Sequence, residues 1–266
     1  MHILDKIVAF KKKEVAAIKE EVSISDLEKS NLFHRTCNSY VERLQLENAT
    51  GVIAEFKRKS PSKSAINLDA NLSAITQGYA KGGVDAISIL TDEHFFGGNN
   101  SFLQTVRKEL PSMPLLRKEF IIDEYQVIEA KSIGADIILL ICEILTKEEV
   151  AYLSRLARSL GMEVLLELHS EDQIDKYSEH VTMVGVNNRD LTTFSVDYER
   201  SKKLFDLLPT DVPKVAESGL SEASTVAMLY NYGFTGFLIG EQFMKQNDPG
   251  VACQKFIKDF VNLKNK

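Results

Sequence analysis

Glu55 and Lys57 stand two residues apart in GVIAEFKRKSPSKS, where an apolar run opened by Val52, Ile53 and Ala54 should continue. Side chains two apart on a strand share a face, so this acid and this base aim at one place before Pro61 stops the strand. The interruption recurs down the chain. Lys118 falls in PLLRKEF, with Arg117 and Glu119 on the opposite face; Glu167 shares a face with Leu165 in EVLLEL. Asn187 ends TMVGVN and Arg189 lies two further on. Glu217 and Ser218 end PKVAES just before Gly219, and Gly240 ends GFLIG. Ammonium groups can give protons, carboxylates can take or hold them, and a carboxamide or guanidinium can orient an anion. One charge at a strand end is ordinary as a salt bridge or a solvated loop residue. Convergent charge at several strand ends is different, because ionised groups that lose water must be compensated by one another or by a ligand. Clusters of that kind are where pKa values shift and catalysis occurs.

The elements that must position these groups follow a repeating rhythm. Short β-branched or Leu-rich runs alternate with stretches of helical period, the pattern of βα units on a parallel sheet. Eight strands are expected, over 52–57, 86–90, 114–120, 136–141, 163–168, 182–187, 213–218 and 236–240. Thr146 and Ser221, each followed by acids, read as helix N-caps. Eight βα units point to an α/β fold, a (β/α)8 TIM barrel, with chemistry at the C-terminal strand ends. A doubly wound open sheet would want a glycine-rich fingerprint after the first strand, where this chain has Glu-Phe-Lys. The reading is a single barrel domain over 1–266, with 1–50 a helical extension packed on it. Within that extension LDKIVAFKKKEVAAIKEEV is an amphipathic helix, and Lys11–Lys13 read as its solvated face.

Composition narrows the classes. The chain has 266 residues, 44% of them apolar, enough for a full-sized core, and a formal charge of −6. That balance offers no general positive field for nucleic acid, so an anionic substrate must be captured locally. Cys37, Cys142 and Cys253 make no CxxC pattern, which argues against a zinc site or a disulfide framework and fits a reducing, cytoplasmic setting. No signal peptide is legible, and the longest apolar run, IILLI, is too short to span a bilayer. His2, His34, His94, His169 and His180 form no metal spacing; His169 is read as structural, facing away from Glu167. The glycines after the last two strands, in AESGLSE and LIGEQFM, allow backbone N–H groups to approach an anion, and this fold often binds phosphate there. A phosphate monoester is therefore the expected ligand.

Taken in order, EFKRKSPSK, TDEHFFGGN, LLRKEFIIDEYQVIEAKSIGADIILLI, LLELHS, VGVNNRDLTTF and VAESGL resemble the indole-3-glycerol-phosphate synthase family from end to end. The resemblance implies conversion of 1-(2-carboxyphenylamino)-1-deoxyribulose 5-phosphate to indole-3-glycerol phosphate, CO2 and water, with no metal or organic cofactor. It implies a general acid at Lys118 and an acid/base carboxylate at Glu167, aided by Glu55, Lys57 and Asn187. It puts substrate contacts on Arg189, Glu217 and Ser218, and phosphate contacts on Ser60, Ser218, Gly219, Gly240 and the backbone of Glu241. Phe96 and Phe120 are candidates to pack on the anthranilate ring, Phe120 because it shares parity with Lys118. The expected partner is a small phosphorylated substrate, with no nucleic acid and no membrane, acting on a monomer, a homodimer being the alternative.

Three positions depart from the family pattern. Ser64 stands where many members have Gly, and is expected to stiffen the first loop. Glu241 stands where some have Ser, and its carboxylate is expected to turn away from phosphate. FFGGN is a mild change expected to stay within the lid over the aromatic ring. Two rival readings remain. An isomerase of phosphoribosyl anthranilate would use a Cys/Asp pair at opposite strand ends, which the sequence does not show. A non-catalytic metabolite-binding barrel would lack at least one of the charged groups.

Overall fold

The computed structural model describes residues 3–60, 63, 65–189 and 195–264. Pro61, Ser64 and the segment 190–194, with the expectations placed on them, lie outside the described residues. Eight parallel strands close into a barrel in chain order. They are β1 (Val52–Phe56), β2 (Ala86–Leu90), β3 (Leu115–Lys118) and β4 (Ile137–Ile141), then β5 (Glu163–Leu168), β6 (Met183–Asn187), β7 (Lys214–Glu217) and β8 (Gly236–Ile239). Helices α1 (Ile3–Glu21), α2 (Ile24–Glu28) and α3 (Tyr40–Arg43) precede β1. Helix α4 (Leu72–Lys81) follows β1, α5 (Glu93–Phe96) and α6 (Asn100–Glu109) follow β2, and α7 (Glu124–Ser132) follows β3. Next come α8 (Lys147–Ser159) after β4, a 3-10 turn over Glu171–Lys176 after β5, and α9 (Tyr198–Leu207) after β6. Helix α10 (Ala223–Tyr232) follows β7, and α11 (Glu241–Met244) and α12 (Pro249–Lys264) follow β8.

Alternation along each strand divides the apolar residues into two cores. Ile53, Leu116, Leu139, Leu165, Met183, Val215 and Leu238 fill the barrel interior. Val52, Ala54, Ile87, Ile89, Leu140, Val164 and Val184 point outward and pack under the helices. Because residues two apart share a face, the inward series of β1, β3, β5 and β7 ends in Glu55, Lys118, Glu167 and Glu217. In such barrels each interior layer takes its side chains from alternate strands. The uppermost layer here is therefore a ring of three carboxylates and one ammonium. The even strands contribute small residues beside it, with Ser88 paired to Glu55 and Gly185 to Glu167.

The first fifty residues reach both ends of the barrel. Leu4 and Ile7 of α1 join the interior cluster at its mouth, with Phe95 and Phe96 packed against it. Burying two such side chains is worth roughly 1.5–3 kcal/mol each. At the other end Tyr40 is fully buried and donates to the Gly51 carbonyl at 2.8 Å. Glu163 accepts from the N–H groups of Tyr40 and Val41 at the start of α3. No helix among the described residues is long and apolar enough to cross a membrane.

Two local expectations need correction. Thr146 caps α8 through a full capping box with Glu149, but Ser221 caps nothing. Its N–H is spent on the Gly219 carbonyl, so the chain is still turning there, and α10 starts one residue later. Lys11 does not belong to a solvated face. It shares the inner face of α1 with Leu4, Ile7 and Val15, is 3% exposed, and pairs with Asp92 and Glu119 at 2.8 Å each. Periodicity places residue 11 on that inner stripe; the neighbouring Lys12 and Lys13, which are exposed, hid the signal.

Candidate active site

A cavity of about 360 Å³ opens at the C-terminal ends of the strands. Every site residue singled out from the sequence lines it, from Glu55 on β1 to Glu241 after β8. At its floor Lys118 Nζ donates to Glu167 Oε2 at 3.0 Å and to Glu217 Oε2 at 3.1 Å. Lys57 Nζ lies 2.6 Å from Glu55 Oε1, which answers why β1 ends in an acid and a base on one face. Asn187 Nδ2 donates to Glu167 Oε1 at 2.9 Å.

These contacts sort the carboxylates. Burial pulls Glu55 upward, but Lys57 and Lys118 outweigh it and hold the group below its usual range. Burial works on Glu167 in the same sense, yet Lys118, His169 and the Asn187 amide hold it down at about 2. Glu217 goes the other way. Burial dominates, the charges of Glu167 and Glu55 repel it, and even Lys118 leaves it pushed up to about 8. Burial pulls Lys118 downward, but the surrounding carboxylates outweigh it and hold the proton on. Three buried acids share two ammoniums, Lys57 and Lys118, and cannot all ionise cheaply, so one stays protonated near neutral pH. Pairs of titratable groups driven apart in this way define acid and base partners.

Two features of the strand ends differ from the sequence reading although the sequence carried a signal for each. His169 does not face away from Glu167; its Nε2 lies 3.2 Å from Glu167 Oε1, and it lines the cavity. Residues 167 and 169 share parity, so the period-2 rule should have placed them together. Gly185 was not singled out at all. A Cβ there would lie 2.0 Å from Glu217 Oε1, so the absence of a side chain makes room for the protonated acid. A small residue at an inward position of β6 was the available signal.

Toward the rim the cavity becomes a site for an anion and an aryl ring. Ser218 and Gly219 adopt left-handed φ of 66° and 73°, and a Cβ on Gly219 would strike the Val196 side chain. Asn188 Nδ2 donates to the Glu217 and Ser218 carbonyls, and Tyr198 donates to that of Gly219. Three acceptors beside the cavity are thereby occupied by side-chain donors. The Glu241 carboxylate pairs with Lys63, stands 3.9 Å from Arg189 and lines the cavity. On the other wall the rings of Phe96 and Phe120 stack at 5.0 Å and 7°. Arg117 and Glu119 point outward from β3, as their parity requires, and Arg117 pairs with Glu129 on α7 at 2.5 Å. Cys142 is buried and its thiol is pushed up to about 12, which makes it a packing residue.

The family model described as indole-3-glycerol phosphate synthase matches residues 4–256. Among curated relatives so named, that of Bacteroides thetaiotaomicron is 43% identical over 256 residues, covering 96% of this chain and 98% of the relative. That of Salinibacter ruber is 41% identical, covering 96% and 95%. Among solved structures, tryptophan synthase subunit alpha from Legionella pneumophila superposes with a TM-score of 0.62 at 13% identity, covering 85% of this chain and 97% of that one. That likeness speaks to the barrel alone.

Proposed function

The chain belongs to the indole-3-glycerol phosphate synthase family, and from that premise we propose how its own residues carry the reaction. The activity is the carboxy-lyase step of tryptophan biosynthesis that closes the pyrrole ring of 1-(2-carboxyphenylamino)-1-deoxyribulose 5-phosphate. The observation that carries the assignment of roles is the four-membered ring of Glu55, Lys118, Glu167 and Glu217 at the cavity floor. It provides a protonated base, an ionised base and a protonated acid within one substrate's reach.

The aromatic carbon bearing the carboxylate attacks the C2 carbonyl, and Lys118 gives its proton to the oxygen that becomes a hydroxyl. Glu217, 3.1 Å from the same ammonium and still protonated near neutral pH, resupplies that proton. CO2 then leaves and its bonding electrons restore the aromatic ring. Lys57 protonates the departing hydroxyl as water. It is better suited to this than to gripping the carboxylate, because a tight ion pair would stabilise the group that must be lost, and Glu55 already holds Lys57 in place. Glu167, ionised and oriented by Asn187, takes the C1 proton as the pyrrole ring forms. The substrate's phosphate lies at Ser60, Ser218, Gly219, Gly240 and the Glu241 N–H, where Lys63 and Arg189 exchange the Glu241 carboxylate for the phosphate oxygens. The stacked pair of Phe96 and Phe120 packs against the anthranilate ring from one wall.

Residues 1–50 are treated as part of one barrel domain, because Leu4, Ile7 and Tyr40 share the interior cluster with barrel residues. The three cysteines are free, which fits a cytoplasmic setting. The decisive experiment incubates the protein with the carboxyphenylamino-deoxyribulose phosphate and follows the rise of indole absorbance. Turnover that vanishes in Lys118→Met supports the roles; a folded wild type that gives no indole signal, or that turns over phosphoribosyl anthranilate instead, refutes them.

A further inference from the structure

Lys11 is 3% exposed and comes from an element, α1, that carries none of the reacting groups. Its ammonium lies 2.8 Å from Asp92 Oδ2, 2.8 Å from Glu119 Oε1 and 2.5 Å from Glu14 Oε2. Burial opposes the charge on Lys11, but Glu119 and Asp92 more than restore it. Arg117 lies 4.0 Å from Glu119 Oε2 and is itself paired with Glu129, and Glu93 lines the same hollow.

Each of the two buried carboxylates has a second task. Asp92 Oδ1 accepts from the N–H groups of Phe95, at 2.5 Å, and Phe96, at 3.2 Å, and so caps α5. Glu119 Oε1 accepts from the Phe120 N–H at 2.8 Å, while its Oε2 takes the Thr91 hydroxyl at 2.8 Å. Phe96 and Phe120 are the stacked pair that lines the cavity. A four-residue helix such as α5 has no stability of its own, so the place of Phe96 depends on its cap. Two carboxylates left together in a buried site without their cation repel one another or take up protons. Either outcome moves the backbone groups that they hold.

We propose that Lys11 is a positioning residue for the aromatic wall: it clamps Asp92 to Glu119 and thereby fixes Phe96 against Phe120. Because Leu4 and Ile7 lie on the same face of α1 and cover the cavity mouth, the same clamp ties the covering helix to the wall that receives the substrate's aryl ring. The inference rests on the cavity being the substrate site, as proposed above.

The test compares wild type with Lys11→Met, using the substrate and inorganic phosphate, which competes for the phosphate end alone. The clamp predicts a KM raised about tenfold or more in Lys11→Met, with the phosphate inhibition constant within about twofold of wild type. Lys11→Arg restores KM to within about threefold of wild type, since it returns the cation. In a Phe96→Ala background, Lys11→Met adds less than about twofold, because a clamp acting through the ring has nothing left to hold. Parallel loss of substrate and phosphate affinity, or a lowered Tm with unchanged KM, overturns the proposal and leaves Lys11 a stabilising residue. Should Lys11→Met not fold, Lys11→Gln carries the same comparison, and failure of both to fold counts against the positioning role. Wild-type turnover and its competition by phosphate test the cavity assignment separately. Only the difference between variant and wild type bears on Lys11.

Discussion

Gly185 on β6 leaves the space that Glu217 on β7 occupies: a Cβ at 185 would lie 2.0 Å from Glu217 Oε1 and 3.1 Å from its Cδ. The acid that stays protonated in the ring is thus seated by a residue with no side chain. Gly185→Ala is expected to displace Glu217 and lower kcat by roughly 10²-fold, the scale of cost for a small misplacement at a reacting centre. Shortening the acid should relieve the clash, so Gly185→Ala with Glu217→Asp should exceed the product of the two single effects. Steady-state kinetics on the four proteins decide it, and wild-type rates in Gly185→Ala would show that the close approach is dispensable.

Lys118→Met removes the cation common to Glu167 and Glu217. Turnover should fall by roughly 10²–10⁴-fold or more, the range for losing a general acid. The fold should survive, because the remaining carboxylates can take up protons rather than stay ionised. Circular dichroism beside the indole assay separates the two effects. Near-normal rates would mean that the first proton comes from elsewhere.

Glu167→Gln should also be slow by roughly 10²-fold or more, since an amide cannot take a proton. Replacing His169 with Asn removes one of the groups that hold Glu167 down, the others being Lys118 and Asn187. The acid limb of kcat/KM against pH should then move to higher pH, as Glu167 becomes easier to protonate. An acid limb that stays in place would mean that Glu167 is not the base seen in that profile.

Stability should carry the mark of Glu217. Its carboxyl is held protonated in the folded chain, pushed up to about 8 from an ordinary value of 4.5. Between those two values the unfolded chain releases a proton that the native state retains, so the contribution of Glu217 is full below pH 4.5 and lost as pH rises toward 8. Glu217→Gln lacks that titration. The Tm of wild type minus that of the variant should therefore decline from pH 5 to pH 8, at roughly 2–4 °C per kcal/mol for a chain of this size. Glu167, held down at about 2, works in the opposite sense and only below its ordinary value. A difference that stays flat across the range would show that Glu217 is ionised in the fold.

What the sequence determined by itself was the local pattern. Alternating runs of β and helical period made eight βα units, and a two-residue repeat put Glu55 with Lys57 and Lys118 with Phe120 on shared inward faces. Those are short-range properties, set by backbone geometry and readable residue by residue. The tertiary structure decided which of these faces meet. Closing the barrel set Lys118 between Glu167 and Glu217, residues separated by 49 and 99 positions along the chain, and only that crowding makes one carboxyl hold its proton while another loses it. It also turned Lys11 from an apparent surface charge into the partner of Asp92 and Glu119, and gave Gly185 a purpose. Protonation states and positioning contacts arise from distances between strands distant in sequence, because the Coulomb energy depends on separation and burial in space, neither of which exists until the cylinder is closed.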